Sequence, residues 1–227
     1  MAVEAARRLH DGDVCFVGIG LPSLAANLAR ATHAPGCALV YESGTIGSKP
    51  HELPLSIGDG ELAETADAVV SVPEMFAYWL QGGHIDVGFL SAAQIDSHAN
   101  LNSTVIGDYD APKVRLPGGG GAPEIATSAH RVFVMLRQSP RAFVERLDFL
   151  TSTGERVALV VTDLGILEPD PETHELALTS VHPGVDVEQA REATGWDLRV
   201  ADDLGKTAPP TEDELAALRA LKTKGRD

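Results

Sequence analysis

The feature that most constrains the fold is a strand-helix-strand pattern near the N-terminus. The apolar run DVCFVGIG ends in glycines and is followed by PSLAANLARATHA, which is rich in Ala and Leu and has Pro22 where a first helical turn accepts it. A second apolar run, CALVYE, comes directly afterwards. A connection of this length through a helix is what two parallel neighbouring strands require. The pattern therefore predicts a β-α-β unit.

The same alternation continues along the chain. Further strand-like runs are DVGFLSAAQID, RVFVML and RVALVVTD, and further helix-like runs are PEMFAYWLQGG, DVEQAREATG and TEDELAALRALK. Thr211 and Glu214 have the spacing of a capping box at the last of these helices. Near-continuous apolar strands separated by helices predict an α/β fold, with a mostly parallel open sheet and helices on both faces. The sequence has no internal repeat or low-complexity linker, so we expect one domain over residues 1–227.

The charge balance excludes two large classes of partner. The formal net charge is −15 at pH 7, which opposes binding to nucleic-acid phosphates or anionic lipids. The apolar runs are far shorter than the roughly 20 residues that cross a bilayer, and the N-terminus lacks the apolar stretch of a signal peptide. We therefore expect a cytoplasmic protein that binds neither nucleic acid nor membrane.

The cysteine and histidine patterns do not indicate a metal site. Cys15 and Cys37 each lie in an apolar run with no CxxC motif or His cluster beside them. We interpret both as reduced core residues, because free cysteine is commonly buried. His51, His84 and His182 lack the i, i+4 spacing of a helical metal pair, so capping or surface roles are the simpler interpretation.

A carboxylate stands where the second predicted strand ends. Glu42 follows the apolar run CALVY, and Ser43 and Gly44 follow at once with the composition of a tight turn. Ligands of open parallel sheets bind outside the carboxyl ends of the strands, where the chain leaves the sheet. Glu42 is therefore either a group that contacts a ligand or a surface residue without a role.

The segment GIGLPS offers a competing hypothesis, because it matches part of a dinucleotide-binding fingerprint. It follows the first strand and opens the first helix, and Glu42 lies 24 positions after Gly18. Ser23 replaces the third glycine of that fingerprint, however, and Pro22 removes an N–H group that could face a pyrophosphate. A tight turn is the simpler interpretation. A non-enzymatic, nucleotide-binding regulatory subunit is the alternative from a different functional class.

A run of four glycines, residues 118–121, lies within RLPGGGGAPEIA between apolar segments. Each ordered glycine costs about 0.5–1 kcal/mol of backbone entropy relative to alanine, so an ordered loop of this kind needs a compensating role. One hypothesis is a flexible surface loop. The other is a loop whose backbone N–H groups point at developing negative charge, as in an oxyanion hole. Together with a strand-end carboxylate, the second hypothesis predicts acyl transfer.

Several segments together resemble the B (beta) subunits of family I coenzyme A transferases, in the glutaconate CoA-transferase branch. They run nearly from end to end of the chain: FVGIGLPSLAANLAR, YESGTIGSKPHELPLSIGDGELAETAD, YWLQGGHIDVGFLSAAQID, NSTVIGDYDAPKVRLPGGGGAPEIA and TGWDL. The Glu-Ser-Gly and Gly-x-Gly-Gly motifs that carry the chemistry of that family are both intact. The resemblance implies a CoA-transferase-like sheet of the NagB/RpiA type. The chain departs from the family after Gly154, where its connection to the next strand is shorter.

The resemblance also implies roles for individual residues. Glu42 falls on the catalytic glutamate, which attacks an acyl-CoA thioester and later carries CoA as a glutamyl thioester in ping-pong chemistry. Gly118, Gly120 and Gly121 fall on the glycine loop, whose amides resemble an oxyanion hole and lie against the CoA thioester. Gln94 sits at a strand end that faces the same crevice in relatives, so we include it as a CoA-binding residue. Coenzyme A is then a substrate, and we expect no cofactor and no metal.

A partner and a set of substrates follow from the same resemblance. The family implies an A (alpha) subunit of similar fold, and we expect an A2B2 heterotetramer. Within the branch, the likeness favours succinyl-CoA as donor and 3-oxoadipate as acceptor, a step of aromatic compound catabolism in the beta-ketoadipate pathway. Glutaconate and related dicarboxylic acids are the nearest alternatives. An acyl-CoA hydrolase or decarboxylase of the same superfamily is a further alternative, although members with changed chemistry have typically lost the glutamate.

Two further acids lie in a loop close to these motifs. Asp108 and Asp110 belong to IGDYDAPK, shortly before the glycine run. Loops at strand ends often carry ligand contacts, so both are candidates for shaping the site.

Overall fold

The structure of the protein is a computed structural model that describes residues 1–223. The elements up to residue 90 are α1 (Ala2–Arg7), β1 (Val14–Phe16), α2 (Leu21–Ala31), β2 (Ala38–Val40), β3 (Thr45–Ile46), α3 (Gly60–Glu64), β4 (Ala68–Val69), α4 (Val72–Glu74), a π-helix (Met75–Leu80) and β5 (Val87–Leu90). The later elements are β6 (Gln94–Ile95), β7 (Leu101–Asn102), β8 (Val105–Gly107), β9 (Pro112–Arg115), α5 (Ala122–Ser128), β10 (Arg131–Met135), β11 (Val157–Val161), β12 (Gly165–Pro169), β13 (Leu176–Val181), α6 (Val187–Glu192), β14 (Arg199–Lys206) and α7 (Glu212–Thr223). They form two compact units: residues 1–89, 128–130 and the segment from 209 onward, and residues 90–127 with 131–208.

The first unit contains the predicted β-α-β unit. Strands β1 and β2 are parallel, with Cys15 opposite Leu39, and β5 lies parallel to β1 on its other side. The short strands β3 and β4 continue the order antiparallel, as β5-β1-β2-β3-β4. The parallel pairing through α2 is confirmed. The sequence did not predict β3 and β4, because strands of two residues are too short to show a periodic pattern.

Helix α2 is buried on most of its surface, so its polar residues need partners inside the protein. The Ser23 hydroxyl lies 3.2 Å from the Tyr41 hydroxyl, and the Asn27 side-chain amide donates to the Ser23 carbonyl at 2.9 Å. Burial raises the pKa of Tyr41, so its phenol stays protonated over the physiological range. This link ties the residue that precedes Glu42 to α2.

Both cysteines are buried free thiols, as the sequence predicts. A hydrogen bond with the Cys37 thiol, together with burial, raises the pKa of Cys15. The Cys15 thiol is therefore protonated at neutral pH and inert as a nucleophile. Among residues 1–223, none of the helices has both the length and the apolar character needed to cross a bilayer.

The predicted helix in PEMFAYWLQGG begins with a capping box and then changes its winding. The Glu74 carboxylate accepts from the Ser71 backbone N–H at 2.9 Å, and the Ser71 hydroxyl accepts from the Glu74 N–H at 3.4 Å. From Met75 the chain follows a π-helix, in which the Gln81 N–H donates to the Phe76 carbonyl five residues earlier, at 2.9 Å. A helix was predicted here, but an apolar pattern does not separate π from α winding.

The second unit combines parallel and antiparallel strands in the order β14-β13-β12-β11-β10. Strands β10 and β11 are parallel, as are β13 and β14, whereas β12 is antiparallel to both of its neighbours. The sequence predicted β10 and β11 but not the other three. In β14 the exposed residues Asp202 and Asp203 interrupt the apolar pattern. The predicted α/β class with parallel strands is confirmed, and the assignment of residues 1–227 to one domain stays a prediction.

Two short hairpins in the second unit lead into the glycine run. In the first, β6 pairs with β7, and Gln94 faces Asn102. In the second, β8 pairs with β9, with Val105 opposite Arg115. Since β9 ends at Arg115, the run at residues 118–121 leaves a paired strand and enters α5. The loop is therefore anchored at both ends, which argues against a freely flexible segment.

The N-terminal and C-terminal helices of the first unit are joined by an ion pair. The Arg7 guanidinium donates to both Glu214 carboxylate oxygens at 2.7 Å, and it also contacts Glu4 at 2.7 Å. Glu214 closes the predicted capping box, because the Thr211 N–H donates to its carboxylate and the Glu214 N–H donates to the Thr211 hydroxyl. Hydrogen bonds from Arg7 lower the pKa of Glu214.

We expect Glu214→Gln to lower the melting temperature at pH 7 by roughly 3–12 °C. A hydrogen bond to a charged group contributes about 1.5–3 kcal/mol, and 1 kcal/mol corresponds to roughly 2–4 °C in a chain of this size. Because folding lowers the pKa of Glu214, its contribution is complete above the unfolded value of about 4.3 and is lost as pH falls through the folded value. Calorimetry should therefore show that the difference in melting temperature between variant and wild type becomes smaller at acid pH.

Glu212→Gln is the matched control, since it removes an exposed acid from the same first helical turn. The assignment fails if the two variants melt together at pH 7, or if the Glu214→Gln difference does not change between pH 7 and acid pH.

Candidate active site

Glu42 lies in the tight turn that connects β2 to β3. The Gly44 N–H donates to the Tyr41 carbonyl at 2.9 Å, and the Tyr41 N–H donates to the Thr45 carbonyl at 3.0 Å. These two bonds close the hairpin and leave Glu42 and Ser43 as its central residues. Tyr41 is fully buried, whereas Glu42 is half-buried. Glu42 therefore comes just after a buried strand, in a turn that it forms together with Ser43 and Gly44.

Gly44 is the residue of this turn that no other amino acid can replace without strain. Its φ is +101°, in the left-handed region that side chains disfavour. A Cβ at this position would lie 2.0 Å from the Val70 carbonyl oxygen. The approach is close because the Val70 N–H donates to the Gly44 carbonyl at 2.9 Å. The backbone around Val70 therefore fixes the side of the turn opposite to Tyr41.

The Glu42 carboxylate has no hydrogen-bond or ion-pair partner within residues 1–223. Two hydroxyls beside it along the chain, those of Ser43 and Thr45, are buried and also lack partners within the described residues. A half-buried carboxylate normally acquires a donor, so an unpaired one on a backbone-fixed turn is available for chemistry. It can act as a nucleophile towards an activated carbonyl carbon or as a general base.

The glycine run in the second unit has an ordered backbone. Gly118 and Gly120 have φ values of +99° and +50°, so two of the four glycines adopt the left-handed region. The Gly119 carbonyl accepts from the Ala122 N–H at 2.9 Å, and the Gly121 carbonyl accepts from the Ile125 N–H at 3.0 Å. Within the described part of the chain, the N–H groups of Gly120 and Gly121 make no hydrogen bond.

The N–H group of Gly118 differs from those of its neighbours, because it is already in use. It donates to the Ser103 carbonyl at 2.9 Å. A single N–H group that is committed to a backbone carbonyl is not available to a bound ligand. The structure thus places Gly118 at the base of the loop, and the donor role predicted for it does not fit this geometry. The donor roles of Gly120 and Gly121 fit it.

Gln94 is buried, and both the nitrogen and the oxygen of its side-chain amide are hydrogen-bonded. Its amide nitrogen donates to the Asp148 carboxylate at 2.9 Å, while its amide oxygen accepts from the Asn102 side chain at 2.7 Å and the Asp148 N–H at 3.1 Å. Asp148 also accepts from the Gly107 N–H at 3.0 Å. Gln94 therefore joins the two hairpins to the loop that contains Asp148. In this arrangement its amide supports neighbouring backbone, and a direct contact with CoA stays a prediction.

Asp108 and His182, which the sequence analysis also singled out, have structural partners. Asp108 accepts from the N–H groups of Asp110 and Ala111 at 2.8 and 3.1 Å, which makes it a turn-forming residue between β8 and β9. His182 lies between the Thr207 hydroxyl and the Thr162 carbonyl, each at 2.9 Å. No group of three or more His, Cys, Asp or Glu side chains within residues 1–223 is arranged to hold a metal ion.

The segment GIGLPS forms the turn between β1 and α2. Gly20 has a φ of +77° and precedes the helix, and its carbonyl accepts the first helical bond from the Leu24 N–H at 2.9 Å. Pro22 lies in the first turn, where it has no N–H group to offer. The geometry is that of an ordinary strand-to-helix connection.

The predicted site residues fall into two groups by position in the fold. Glu42, Ser43 and Gly44 belong to the first unit, and Gln94 and residues 118–121 belong to the second. Each group has a feature that suits acyl chemistry: an unpaired carboxylate in the first and unpaired N–H groups on an ordered glycine loop in the second. Sequence reasoning missed Asn102, Asp148 and Ser103, whose roles depend on partners distant in the sequence.

Comparison with known proteins gives matches over most of the chain. A model of the family described as Coenzyme A transferase matches residues 1–193. The chain is 59% identical to the B subunit of 3-oxoadipate CoA-transferase from Pseudomonas knackmussii, over 99% of this chain and 92% of that protein.

Two solved structures have similar folds. One is glutaconate coenzyme A-transferase from Acidaminococcus fermentans, with a TM-score of 0.90 and 32% identity over 97% of this chain and 92% of the other. The decarboxylase AibA/AibB gives a TM-score of 0.88 and 29% identity over the same shares of the two chains. The match of the family model to most of the chain, together with the relative at 59% identity, establishes that the chain belongs to the coenzyme A transferase family.

Proposed function

We propose that this chain is the B subunit of a CoA-transferase that moves CoA from succinyl-CoA to 3-oxoadipate, with Glu42 as the covalent nucleophile. The substrate assignment is supported by the 59% identity to a protein named as the B subunit of 3-oxoadipate CoA-transferase. The observation that carries the assignment of Glu42 is its unpaired carboxylate on a turn fixed by backbone hydrogen bonds.

The chemistry proceeds through two kinds of bond to Glu42. A carboxylate oxygen attacks the thioester carbonyl carbon of succinyl-CoA and expels the CoA thiolate, which leaves a mixed anhydride between succinate and Glu42. The thiolate then attacks the Glu42 carbonyl carbon of that anhydride and releases succinate. CoA is now held as a glutamyl thioester. The carboxylate of 3-oxoadipate attacks this thioester and expels the CoA thiolate, which leaves a mixed anhydride between 3-oxoadipate and Glu42. The thiolate then attacks the 3-oxoadipyl carbonyl carbon of that anhydride, which forms 3-oxoadipyl-CoA and releases the Glu42 carboxylate.

A carboxylate suits this task because it is chemically equivalent to the groups that it exchanges. Each bond to Glu42 resembles a bond in the donor or the acceptor, so thioester energy is retained without another energy source. Both intermediates are hydrolysed easily, so water must be kept away from them. The buried surroundings of Tyr41 and Thr45 on either side of the turn support such exclusion.

Each attack on a thioester places negative charge on its carbonyl oxygen. We assign the stabilisation of this charge to the N–H groups of Gly120 and Gly121, which are unpaired within the described residues. Backbone donors of an ordered loop need little reorganisation during the reaction, which is the condition for strong electrostatic stabilisation. Gly118 shapes the loop in this assignment and does not donate to the substrate.

An A subunit completes the enzyme in this proposal, as an A2B2 heterotetramer in the cytoplasm. The relative at 59% identity is named as a B subunit, which supports a partner chain. A dicarboxylate and a CoA pyrophosphate both need cationic contacts. Neither motif lies in a Lys- or Arg-rich segment, since Lys49, Lys113 and Arg115 are the cations near them in the sequence, and we expect the A subunit to supply further cations for these anions. The enzyme would act in aromatic compound catabolism.

Two neighbouring activities serve as alternatives. Glutaconate as the acid is supported by the similarity to glutaconate coenzyme A-transferase. Decarboxylation is supported by the similarity to the decarboxylase AibA/AibB. A panel of dicarboxylic acids offered with succinyl-CoA separates the first alternative from 3-oxoadipate. Release of carbon dioxide from an acyl-CoA, without transfer of CoA, would identify the second.

We expect Glu42→Gln to reduce turnover of the reconstituted A/B complex by at least about 1,000-fold, as loss of a covalent nucleophile does elsewhere. Glu42→Asp keeps the charge but withdraws the carboxylate by one methylene, and a misplacement of about 1 Å can cost on the order of 100-fold. Steady-state kinetics should show parallel ping-pong lines for the wild type. Glu64→Gln is the control, because it changes an exposed acid, and its turnover should stay near the wild-type value. Near-normal turnover of Glu42→Gln would reject Glu42 as the nucleophile.

Gly44→Ala tests whether the turn geometry presents Glu42. The positive φ and the approach of Val70 predict strain of about 1–3 kcal/mol, so the melting temperature should fall by roughly 2–12 °C. Turnover should fall by about tenfold or more in the fraction that remains folded, because Glu42 is displaced. Gly60→Ala is the control, since Gly60 begins α3 with open space around its Cβ position. Equal behaviour of the two variants would contradict the role of Gly44.

The partner assignment predicts that the purified chain alone does not transfer CoA. Adding the A subunit should restore turnover in proportion to complex formed, and size-exclusion chromatography with light scattering should give the mass of an A2B2 assembly. Full transferase activity from this chain without a partner would refute the assignment.

A further inference from the structure

Ser103 holds the base of the glycine loop through two reciprocal hydrogen bonds. The Gly118 N–H donates to the Ser103 carbonyl at 2.9 Å, and the Ser103 hydroxyl donates to the Gly118 carbonyl at 2.9 Å. One residue therefore binds both polar backbone groups of Gly118. Ser103 comes 15 positions earlier in the chain, directly after β7.

The second of these bonds determines the direction of the next N–H group. The peptide between Gly118 and Gly119 is trans, so its carbonyl and its N–H point in opposite directions. With the Gly118 carbonyl held towards the Ser103 hydroxyl, the Gly119 N–H must point away from Ser103. Within residues 1–223 the Gly119 N–H makes no hydrogen bond. It thus joins the N–H groups of Gly120 and Gly121 as an unpaired donor.

Thr151 in turn holds Ser103 through a hydrogen bond. The Ser103 N–H donates to the Thr151 hydroxyl at 3.0 Å, and the hydroxyls of Thr151 and Thr104 are 2.7 Å apart. The Thr104 carbonyl in turn accepts from the Leu116 N–H at 3.0 Å, just before the glycine run.

We infer that Ser103 is a positioning residue, which orients the Gly118–Gly119 peptide so that the Gly119 N–H donates to the oxyanion of the acyl-CoA thioester. This inference rests on the proposed function, because it adds a donor to the set already assigned to Gly120 and Gly121. The ligand class is the negatively charged carbonyl oxygen of a thioester under attack by a carboxylate. Ser103 itself does not contact the substrate.

The geometry separates this role from general support of the fold. In Ser103→Ala the backbone carbonyl of residue 103 remains, so the bond from the Gly118 N–H is retained. What is lost is the hydroxyl that fixes the Gly118 carbonyl. The loop stays attached, but the peptide that carries the Gly119 N–H can rotate.

The test uses the reconstituted A/B complex with succinyl-CoA and 3-oxoadipate. We expect Ser103→Ala to lower kcat by about tenfold, less than the roughly 100-fold loss when an oxyanion donor is removed outright. KM for 3-oxoadipate should change by less than about twofold, since a donor that acts in the transition state affects kcat selectively. Ser103→Thr keeps the hydroxyl and should restore kcat. Ser97→Ala is the matched control, because its hydroxyl contacts only His98 in the described chain.

Wild-type kcat in Ser103→Ala, or equal loss in Ser103→Thr and Ser103→Ala, would overturn the inference. If Ser103→Ala does not assemble with the A subunit, Thr151→Val and Thr151→Ser test the same inference through the residue that holds Ser103. The valine removes the acceptor of the Ser103 N–H and should lower kcat, whereas the serine should not, and equal kcat in both would overturn the inference.

Normal Ser103 variants together with an inactive Glu42→Gln would reject this inference and leave the proposed function standing. An active Glu42→Gln would reject the proposed function itself.

Discussion

A carboxylate that acts as a nucleophile must be held in place while its oxygens stay free of hydrogen-bond and ion-pair partners. The backbone around Gly44 meets this constraint. The Gly44 N–H and carbonyl are bound to Tyr41 and Val70, so the turn is fixed on both sides by main-chain groups. The Tyr41 hydroxyl adds a contact with Ser23 on α2. Because the backbone fixes the turn, the Glu42 side chain needs no hydrogen bond to be positioned.

The glycine loop is also held by backbone hydrogen bonds, but it leaves N–H donors unpaired, whereas the turn at Gly44 leaves a carboxylate unpaired. Its position is fixed through the carbonyl groups of the loop and the N–H of Gly118, which leaves the following N–H groups unpaired. Ordering four glycines costs roughly 2–4 kcal/mol in backbone entropy relative to alanine. The absence of side chains is what allows a ligand to approach these N–H groups closely. Gln94 differs from these N–H groups, because the recorded hydrogen bonds of its side chain all go to Asn102 and Asp148.

Local patterns predicted the parts of this structure that depend on local interactions. The β-α-β unit, the capping box at Thr211 and the strand-end position of Glu42 follow from periodicity, spacing and turn composition. The short antiparallel strands and the π-helix were missed, because their sequences do not differ from loops and α-helices. The partners of Gln94 and Gly118 were also beyond prediction, since Asp148 lies 54 positions from Gln94 and Ser103 lies 15 positions from Gly118. Resemblance to a family identified which residues react, but not which atoms of those residues are free.

The central claim is that CoA becomes covalently bound to Glu42 during turnover. Incubation of the A/B complex with succinyl-CoA and no acceptor, followed by borohydride, reduces a glutamyl thioester to an alcohol. Mass spectrometry of the tryptic peptide that contains YESGTIGSK should then show Glu42 as the hydroxy residue, with no such change in Glu42→Gln. Reduction at any other acid, or no reduced residue in an active complex, would contradict the account.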